Sequence, residues 1–506
     1  MAQIIIFTGT SRVDPTKFRD PDNKVFNTLR SIGAYQIADV LRHHNYSVQV
    51  IDNFPLIVSL NFQLVLDILK SHVDKNTLWI GFSSTFFEED TNTANDNIFQ
   101  NSILLNASQI EQIKSLVFEK NPKCKFVVGG AKAWQRAGGN LVNYYVEGYA
   151  DDSVLELTKY LEGKNPFFQF STNSDSSRTI SSDRNASKFD FVNYKFKWDY
   201  SDHIFKNEVL PIEIARGCIF RCAYCSYPLN GKHKLDYIKD PIILREEFTR
   251  NYELYGTTDY LYSDDTHNDS PQKLEFLYDQ VYSKLNFKIN FSTYLRLDLL
   301  KAHPHTIDLL RESGLKTCFF GIESLNHASN KTVGKGVKQS TIIDMLETLN
   351  HKWPNVFKQA GFIVGLPNDS KETVRNWLNI ITSKDFPLDA MIINPLHIFR
   401  DQGLDGYWFN DIENHPEKYG YTFTSNNEWI NNTGMTKREA RELIGEGFNN
   451  LISNGKNKVR WLTEIKVKNA GLTMEQFFSM NPREIVEIRN KRILSYIQKI
   501  INTPSI

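Results

Sequence analysis

The sequence predicts an α/β protein in three parts: an open, doubly wound parallel-sheet domain, a partial barrel of six strand–helix units, and a mostly helical C-terminal region. Three observations carry this reading. Apolar, β-branched runs alternate with helix-spaced runs across residues 1–165. The alternation breaks in a polar connector, residues 166–208, and resumes over residues 209–400. Across residues 401–506 helical spacing dominates.

The chain of 506 residues has room for about three domains of ~150 residues, and its 41% hydrophobic content suffices for their cores. Lys+Arg and Asp+Glu are each 59, so no bulk charge holds nucleic acid or a membrane surface. The opening Met1-Ala2-Gln3-Ile4-Ile5-Ile6-Phe7 lacks the basic start of a signal peptide and reads as a strand. No apolar run approaches the ~18 residues of a membrane helix. Five cysteines, three of them close together, make no disulfide framework, and reduced thiols imply a cytoplasmic setting.

In residues 1–165 the expected strands are Ala2–Gly9, Ser47–Asp52, Leu78–Phe87, Lys125–Gly130 and Tyr144–Val146. The expected helices are Ser31–His44, Phe62–Val73, Ser108–Lys120 and Ser153–Leu161. Ligands of such sheets lie outside the carboxyl ends of the strands. Candidate contacts there are Ser83 and Ser84, Gly129 and Gly130, and Glu147 and Gly148, whose glycines let backbone approach a large ligand. Two long polar loops, Thr10–Asn27 and Glu88–Asn106, leave the same edge as candidate lids. In the connector, Ser171–Ser187 reads as an exposed linker, and the aromatic run Phe189–Trp198 as packed onto a domain.

The most informative stretch is Arg216-Gly217-Cys218-Ile219-Phe220-Arg221-Cys222-Ala223-Tyr224-Cys225, spaced C-x3-C-x2-C after the strand-like Val209–Ala215. Three thiolates on one loop can hold three irons of a [4Fe–4S] cluster and leave the fourth open. Structural zinc wants four ligands; no second knuckle exists, and His233 is the only nearby histidine. The βα rhythm then continues through strands Tyr260–Asp265, Lys288–Tyr294, Lys316–Ile322, Gln359–Val364 and Met391–Pro395. The intervening helices are Ile242–Tyr252, Pro271–Leu285, His305–Glu312, Ser340–Leu349 and Lys371–Ile381. In such barrels the C-terminal ends of the strands line the site.

The cysteine loop, with an aromatic residue just before its third cysteine, resembles that of the radical S-adenosylmethionine (SAM) superfamily. The resemblance implies that Cys218, Cys222 and Cys225 hold a [4Fe–4S] cluster whose open iron chelates SAM. It further implies reductive cleavage of SAM to methionine and a 5′-deoxyadenosyl radical, and an electron donor such as flavodoxin or ferredoxin. Other motifs of this family match in order along the chain. Tyr224 would offer its backbone to adenine. Asp264, beside Asp265, ends the second strand, and Arg296 ends the third, where relatives often hold SAM's carboxylate. Gly321-Ile322-Glu323-Ser324 matches the fourth-strand motif, whose glutamate accepts ribose hydroxyls, and Lys335-Gly336 follows it. Gly361–Pro367, including Val364, Gly365 and Pro367, matches the fifth-strand motif against which adenine lies.

In layout, and at Ser83-Ser84, Val127–Gly130 and Val146–Gly148, the first domain resembles the Rossmann-like cobalamin-binding domain that precedes many radical SAM domains. The match is partial: the D-x-H-x-x-G cobalt ligand is missing, Ser11–Phe18 has no histidine, and His43, His44 and His72 fall on or near helices. A cobalamin here would have no histidine below cobalt. The implied activity is cobalamin-dependent methylation of an unactivated carbon. A non-methylating rearrangement or cyclisation, or a non-catalytic iron–sulfur sensor, stay open. Only Cys124 lies upstream of the cluster loop and only Cys318 downstream, so the sequence supports one cluster and not the second one of methylthiotransferases. Helices are expected at Lys437–Ile452, Lys456–Asn469, Thr473–Phe478 and Pro482–Ile500, and the basic residues around Trp461 read as a solvated face. The substrate is not legible.

Overall fold

The computed structural model describes residues 1–9, 29–84, 87–89, 103–130, 133, 141–181, 189–225, 237–398 and 410–503. The loop 10–27, most of the loop 88–106, and His233 lie outside these residues. The chain forms two compact units. The first joins Met1–Pro211 to Arg250–Thr257 and Thr463–Ile506; the second joins Ile212–Thr249 to Thr258–Leu462. No helix among the described residues is long and apolar enough to cross a membrane.

Strands of the first unit are β1 (Ile4–Phe7), β2 (Val48–Ile51), β3 (Trp79–Ser83), β4 (Phe87–Glu89), β5 (Ile103–Leu105), β6 (Lys125–Gly129), β7 (Tyr144–Glu147), β8 (Ser171–Thr172) and β9 (Arg178–Ser181). The main sheet runs β2-β1-β3-β6-β7-β9-β8. Its pairings are parallel except that of β8 with β9. The doubly wound sheet expected from the alternation is therefore present, with its order reversing at β1 and β3. β1 and β2 are buried along their length and β6 in its middle, as parallel strands covered by helices on both faces must be. A short helix, Phe54–Leu60, was not evident in the sequence; it precedes the Gln63–His72 helix, and Pro55 at its start fits the first turn.

Two stretches differ from expectation. Residues 171–176 are largely exposed as expected, but β8 and β9 extend the sheet, and 182–187 lie outside the described residues. The rest of the connector is fastened by buried charge. Arg30 forks onto Glu208, Nε to Oε1 at 2.7 Å and Nη2 to Oε2 at 3.0 Å, and donates to Tyr35 Oη and the Asp202 carbonyl. Arg42 meets Asp202 at 2.8 Å. Burial opposes the Arg30 charge, but Glu208 outweighs it and keeps the guanidinium protonated.

The C-terminal region is likewise divided. The helix Pro482–Asn502 buries Ile493, Tyr496, Ile497 and Ile500 in the core of the first unit, among Ile5, Phe7 and Leu69. Tyr496 Oη accepts from Asp52 N at 3.2 Å, and His72 Nε2 lies 2.9 Å from the Ile500 carbonyl. The helix expected over Lys456–Asn469 is confined to Thr463–Asn469.

The second unit is built on six strands in sequential order: β10 (Leu210–Ile212), β11 (Asp259–Tyr262), β12 (Asn290–Leu295), β13 (Leu315–Glu323), β14 (Phe357–Val364) and β15 (Ala390–Pro395). The pairings from β11 to β15 are parallel. One face of the sheet packs on helices. Phe362 stacks on Trp377 of the helix Lys371–Ile381 at 5.9 Å, and Gly447 of the helix Lys437–Ser453 lies against Leu378 and Ile393. The opposite face carries Tyr294, Phe319, Gly321, Gly361 and Asn394.

Removing one partner of a buried ion pair strands the other charge, at a cost of about 3 kcal/mol. Arg30→Met is expected to lower urea stability by about that amount, and adding Glu208→Gln to recover part of it. A single variant as stable as the parent would show that the pair does not fasten the connector.

Candidate functional site

The three cysteines of the C-x3-C-x2-C loop follow β10, at the carboxyl end of the parallel sheet. All are free thiols; Cys218 is buried, Cys222 and Cys225 half-buried. The loop is pinned on several sides within the second unit. Ala223 N donates to the Val333 carbonyl at 3.2 Å, the Ala223 carbonyl accepts from Ile412 N at 3.0 Å, and Cys225 N closes a turn onto the Cys222 carbonyl at 2.9 Å. Burial pushes the Cys218 thiol up, and its Sγ lies 3.3 Å from Thr266 Oγ1.

Among the described residues, no three His, Cys, Asp or Glu side chains converge as ligands of one metal ion. A tetrahedral zinc ion needs its ligands on a common centre, with Zn–S bonds of about 2.3 Å. A cubic iron–sulfur cluster does not, because each thiolate binds its own iron at a separate corner. The donor set fits the cluster: three thiols on one loop, with the guanidinium of Arg296 at 3.4 Å from Cys222 Sγ to offset thiolate charge.

Glu323 closes β13 in the left-handed region, φ +69°. Its carboxylate accepts from Tyr224 Oη at 2.7 Å and lies 3.5 Å from Lys335 Nζ, which also donates to the Gly321 carbonyl at 3.0 Å. A Cβ at Gly321 would come within 2.6 Å of the Glu323 carboxylate, so glycine makes the room for it. Burial, reinforced by Glu323, holds the Tyr224 phenol protonated. Tyr294, Phe319 and Trp461 form an aromatic triad beside this site, with centroids 4.9–5.6 Å apart. A Cβ at Gly361 would come within 3.0 Å of the Phe319 ring.

The structure links Tyr224 to Glu323 and Arg296 to Cys222, with Cys218 and Cys225 on the same loop. Several other expected contact residues have partners within the protein. The Tyr224 carbonyl accepts from Asn410 Nδ2 at 3.0 Å. Asp264 is buried behind the sheet, 2.8 Å from Lys273 Nζ and 3.1 Å from His267 Nδ1. Burial opposes its charge, but Lys273 and His267 outweigh it and hold Asp264 below the usual carboxylate range. Ser324 is fully buried, its hydroxyl accepting from Asn326 N at 3.0 Å. Val364 shares the helix-facing side of β14 with Phe362; Ile363 is the residue on the open face. Gly365 and Pro367 are covered. Gly365 has φ +100°, a Cβ there would meet the Trp429 ring at 2.2 Å, and its carbonyl accepts from Tyr421 Oη at 2.8 Å. Strict alternation counted from Gly361 would have found Ile363. Trp461, Asn410 and Trp429 arrive from distant sequence and carried no local signal.

In the first unit, Ser83, Ser84, Gly129 and Gly130 meet at the carboxyl ends of β3 and β6. Ser84 N donates to the Gly129 carbonyl at 2.7 Å, and a Cβ at Gly130, φ +112°, would lie 3.1 Å from Ser84 Oγ. Glu147 ends β7 and accepts from Ser181 Oγ at 3.2 Å; Gly148 follows with φ +94°. His43, His44 and His72 sit on or beside helices, as expected.

Three thiols on the loop after the first strand of a six-stranded sheet, with a buried glutamate at the end of the fourth, make up the candidate site. Residues 212–381 match the family model of the radical SAM superfamily, so this segment is a radical SAM domain. Among curated proteins, the chain is 27% identical over 206 residues to the ribosomal protein uS12 methylthiotransferase RimO of Protochlamydia amoebophila, covering 39% of this chain and 42% of that protein. The chain thus spans less than half the length of that relative. Among solved structures, the radical SAM methyltransferase TsrM from Kitasatospora setae, with cobalamin and a [4Fe–4S] cluster bound, matches 97% of this chain and 100% of its own at TM-score 0.61 and 12% identity. The cobalamin-dependent SAM radical enzyme OxsB, with aqua-cobalamin and SAM bound, matches 99% of this chain and 71% of its own at TM-score 0.52 and 14% identity. The shared architecture is a doubly wound domain joined to a radical SAM barrel with a helical C-terminal region.

A side chain at Gly365 meets both a left-handed backbone and the Trp429 ring. Gly365→Ala should therefore cost about 2–3 kcal/mol. Gly336→Ala, at φ +66° with open space around it, should cost about 1 kcal/mol. Melting temperatures of the two variants check the order.

Proposed function

We propose that this protein is a radical SAM enzyme that methylates an unactivated carbon with the help of a cobalamin. The observation that carries the first half is the free C-x3-C-x2-C thiol triad at the carboxyl end of the sheet, inside the segment that matches the family. When bound, the cluster supplies the electron that splits SAM into methionine and a 5′-deoxyadenosyl radical. Cys218, Cys222 and Cys225 would each hold one iron and leave the fourth for SAM.

The remaining work belongs to the chain. Glu323, fixed by Tyr224 and flanked by Lys335, presents a buried carboxylate of the kind that accepts ribose hydroxyls. The triad Tyr294, Phe319 and Trp461 lines the open face of the sheet with rings that offer a planar ligand an apolar surface.

The cobalamin half is supported by the likeness to structures that bind it and by the close backbone approach at Gly129, Gly130 and the paired serines. The chain has no histidine at the usual cobalt-ligand position, so a bound cobalamin would take no lower histidine from it. Methylthio transfer, the activity named for the curated relative, is not favoured, because only Cys124 lies upstream and it is buried.

Anaerobically reconstituted protein given SAM and a low-potential reductant should release 5′-deoxyadenosine. An intact cluster without that release would make it a sensor. Cys222→Ala should keep the fold by circular dichroism and lose cluster iron; full iron retention would contradict the ligand assignment. Hydroxocobalamin should co-purify with a bound corrin spectrum. A spectrum of free cobalamin only would end the methylation reading and leave rearrangement or cyclisation.

A further inference from the structure

We propose that Arg296 and Thr266 set the reduction potential of the cluster by donating hydrogen bonds to two of its three ligand sulfurs. This rests on the cluster reading above. Arg296 is held on every side. Asn268 clamps its backbone, Oδ1 accepting from Arg296 N at 2.8 Å and Nδ2 donating to the Arg296 carbonyl at 2.9 Å. Its guanidinium forks onto Asp298, Nε at 3.1 Å and Nη2 at 2.6 Å, and lies over the Phe220 ring at 3.9 Å. Nη1 is left 3.4 Å from Cys222 Sγ. Burial opposes the charge, but Asp298 outweighs it, so the guanidinium stays charged.

Thr266 treats Cys218 in the same way. Its Oγ1 lies 3.3 Å from Cys218 Sγ and donates to the Asp265 carbonyl at 2.7 Å while the thiol keeps its own proton. A thiolate bound to iron has no proton to give, so the hydroxyl turns its hydrogen onto sulfur. Thr266 is fixed from behind: its carbonyl accepts from Lys273 Nζ at 3.1 Å, and Lys273 is locked to Asp264 at 2.8 Å with no side-chain exposure. The buried charge cluster is therefore the support that places this hydroxyl.

Reduction adds one negative charge to the cluster. Donors to the sulfurs and a cation beside them stabilise the reduced form more than the oxidised one, so they raise the potential. Asp298, partly open to solvent, tempers the cation. The assignment gives Arg296 a role different from that of holding SAM's carboxylate, and it ties the buried Asp264 to the cluster through Lys273 and Thr266.

The test is a mediated potentiometric measurement on the reconstituted full chain without SAM, read by electron paramagnetic resonance, with iron content measured in parallel. Arg296→Gln and Thr266→Val should keep wild-type iron but lower the midpoint, leaving about tenfold less reduced cluster at a fixed potential for Arg296→Gln, about 59 mV for a one-electron couple. Arg296→Lys should restore part of that shift. Asp298→Asn should move the midpoint upward, and it carries the test if Arg296→Gln does not fold. An unmoved midpoint in Arg296→Gln at wild-type iron content, or in Asp298→Asn, overturns the proposal. Wild-type protein that takes up no iron overturns the cluster reading instead.

Discussion

The bond from the Tyr224 hydroxyl to the Glu323 carboxylate ties the cysteine loop to the strand that ends at the ligand side of the sheet. Glu323 is buried and Tyr224 half-buried, so losing the bond would leave the carboxylate short of a partner where little water reaches it. Around it the loop gains further fixed points from Val333, Ile412 and Asn410. On the proposed cluster reading these fixed points matter, because a misplaced thiolate would hold its iron poorly. Glu323 holds an unfavourable backbone conformation, φ +69°, with its carboxylate lying against Gly321 and bonded to the tyrosine.

Much of this was legible in the sequence because the relevant signals are local. Three cysteines within eight positions, the Gly-x-Glu-Ser end of the fourth strand and the βα rhythm are read without knowing what packs on what. The doubly wound sheet of the first unit and the six-strand run of the second follow the βα rhythm, while the strand order of the first unit came only with the structure.

What escaped was nonlocal or depended on a single step of strand parity. Val364 and Ile363 are neighbours with the same chemistry, yet the pleat sends one to the helices and the other to the open face. Asp264 looked like a site residue because it ends a strand, but Lys273, nine positions on, faces it from the following helix and neutralises it inside the protein. Gly365 and Pro367 look like a ligand-side turn until Trp429 and Tyr421 are seen lying on them. The β8–β9 edge is too short and polar to announce itself. The last long helix has an apolar stripe that any surface could cover.

That last helix has a consequence for how the molecule is made. Tyr496 reaches back to Asp52 across 444 positions, and the core of the first unit includes four side chains of the segment 493–500. During synthesis the barrel strands leave the ribosome before those side chains exist, so the unit that begins the chain is the later of the two to be sealed. Until then the apolar side chains that this helix covers, Ile5, Phe7 and Leu69 among them, lack part of their packing.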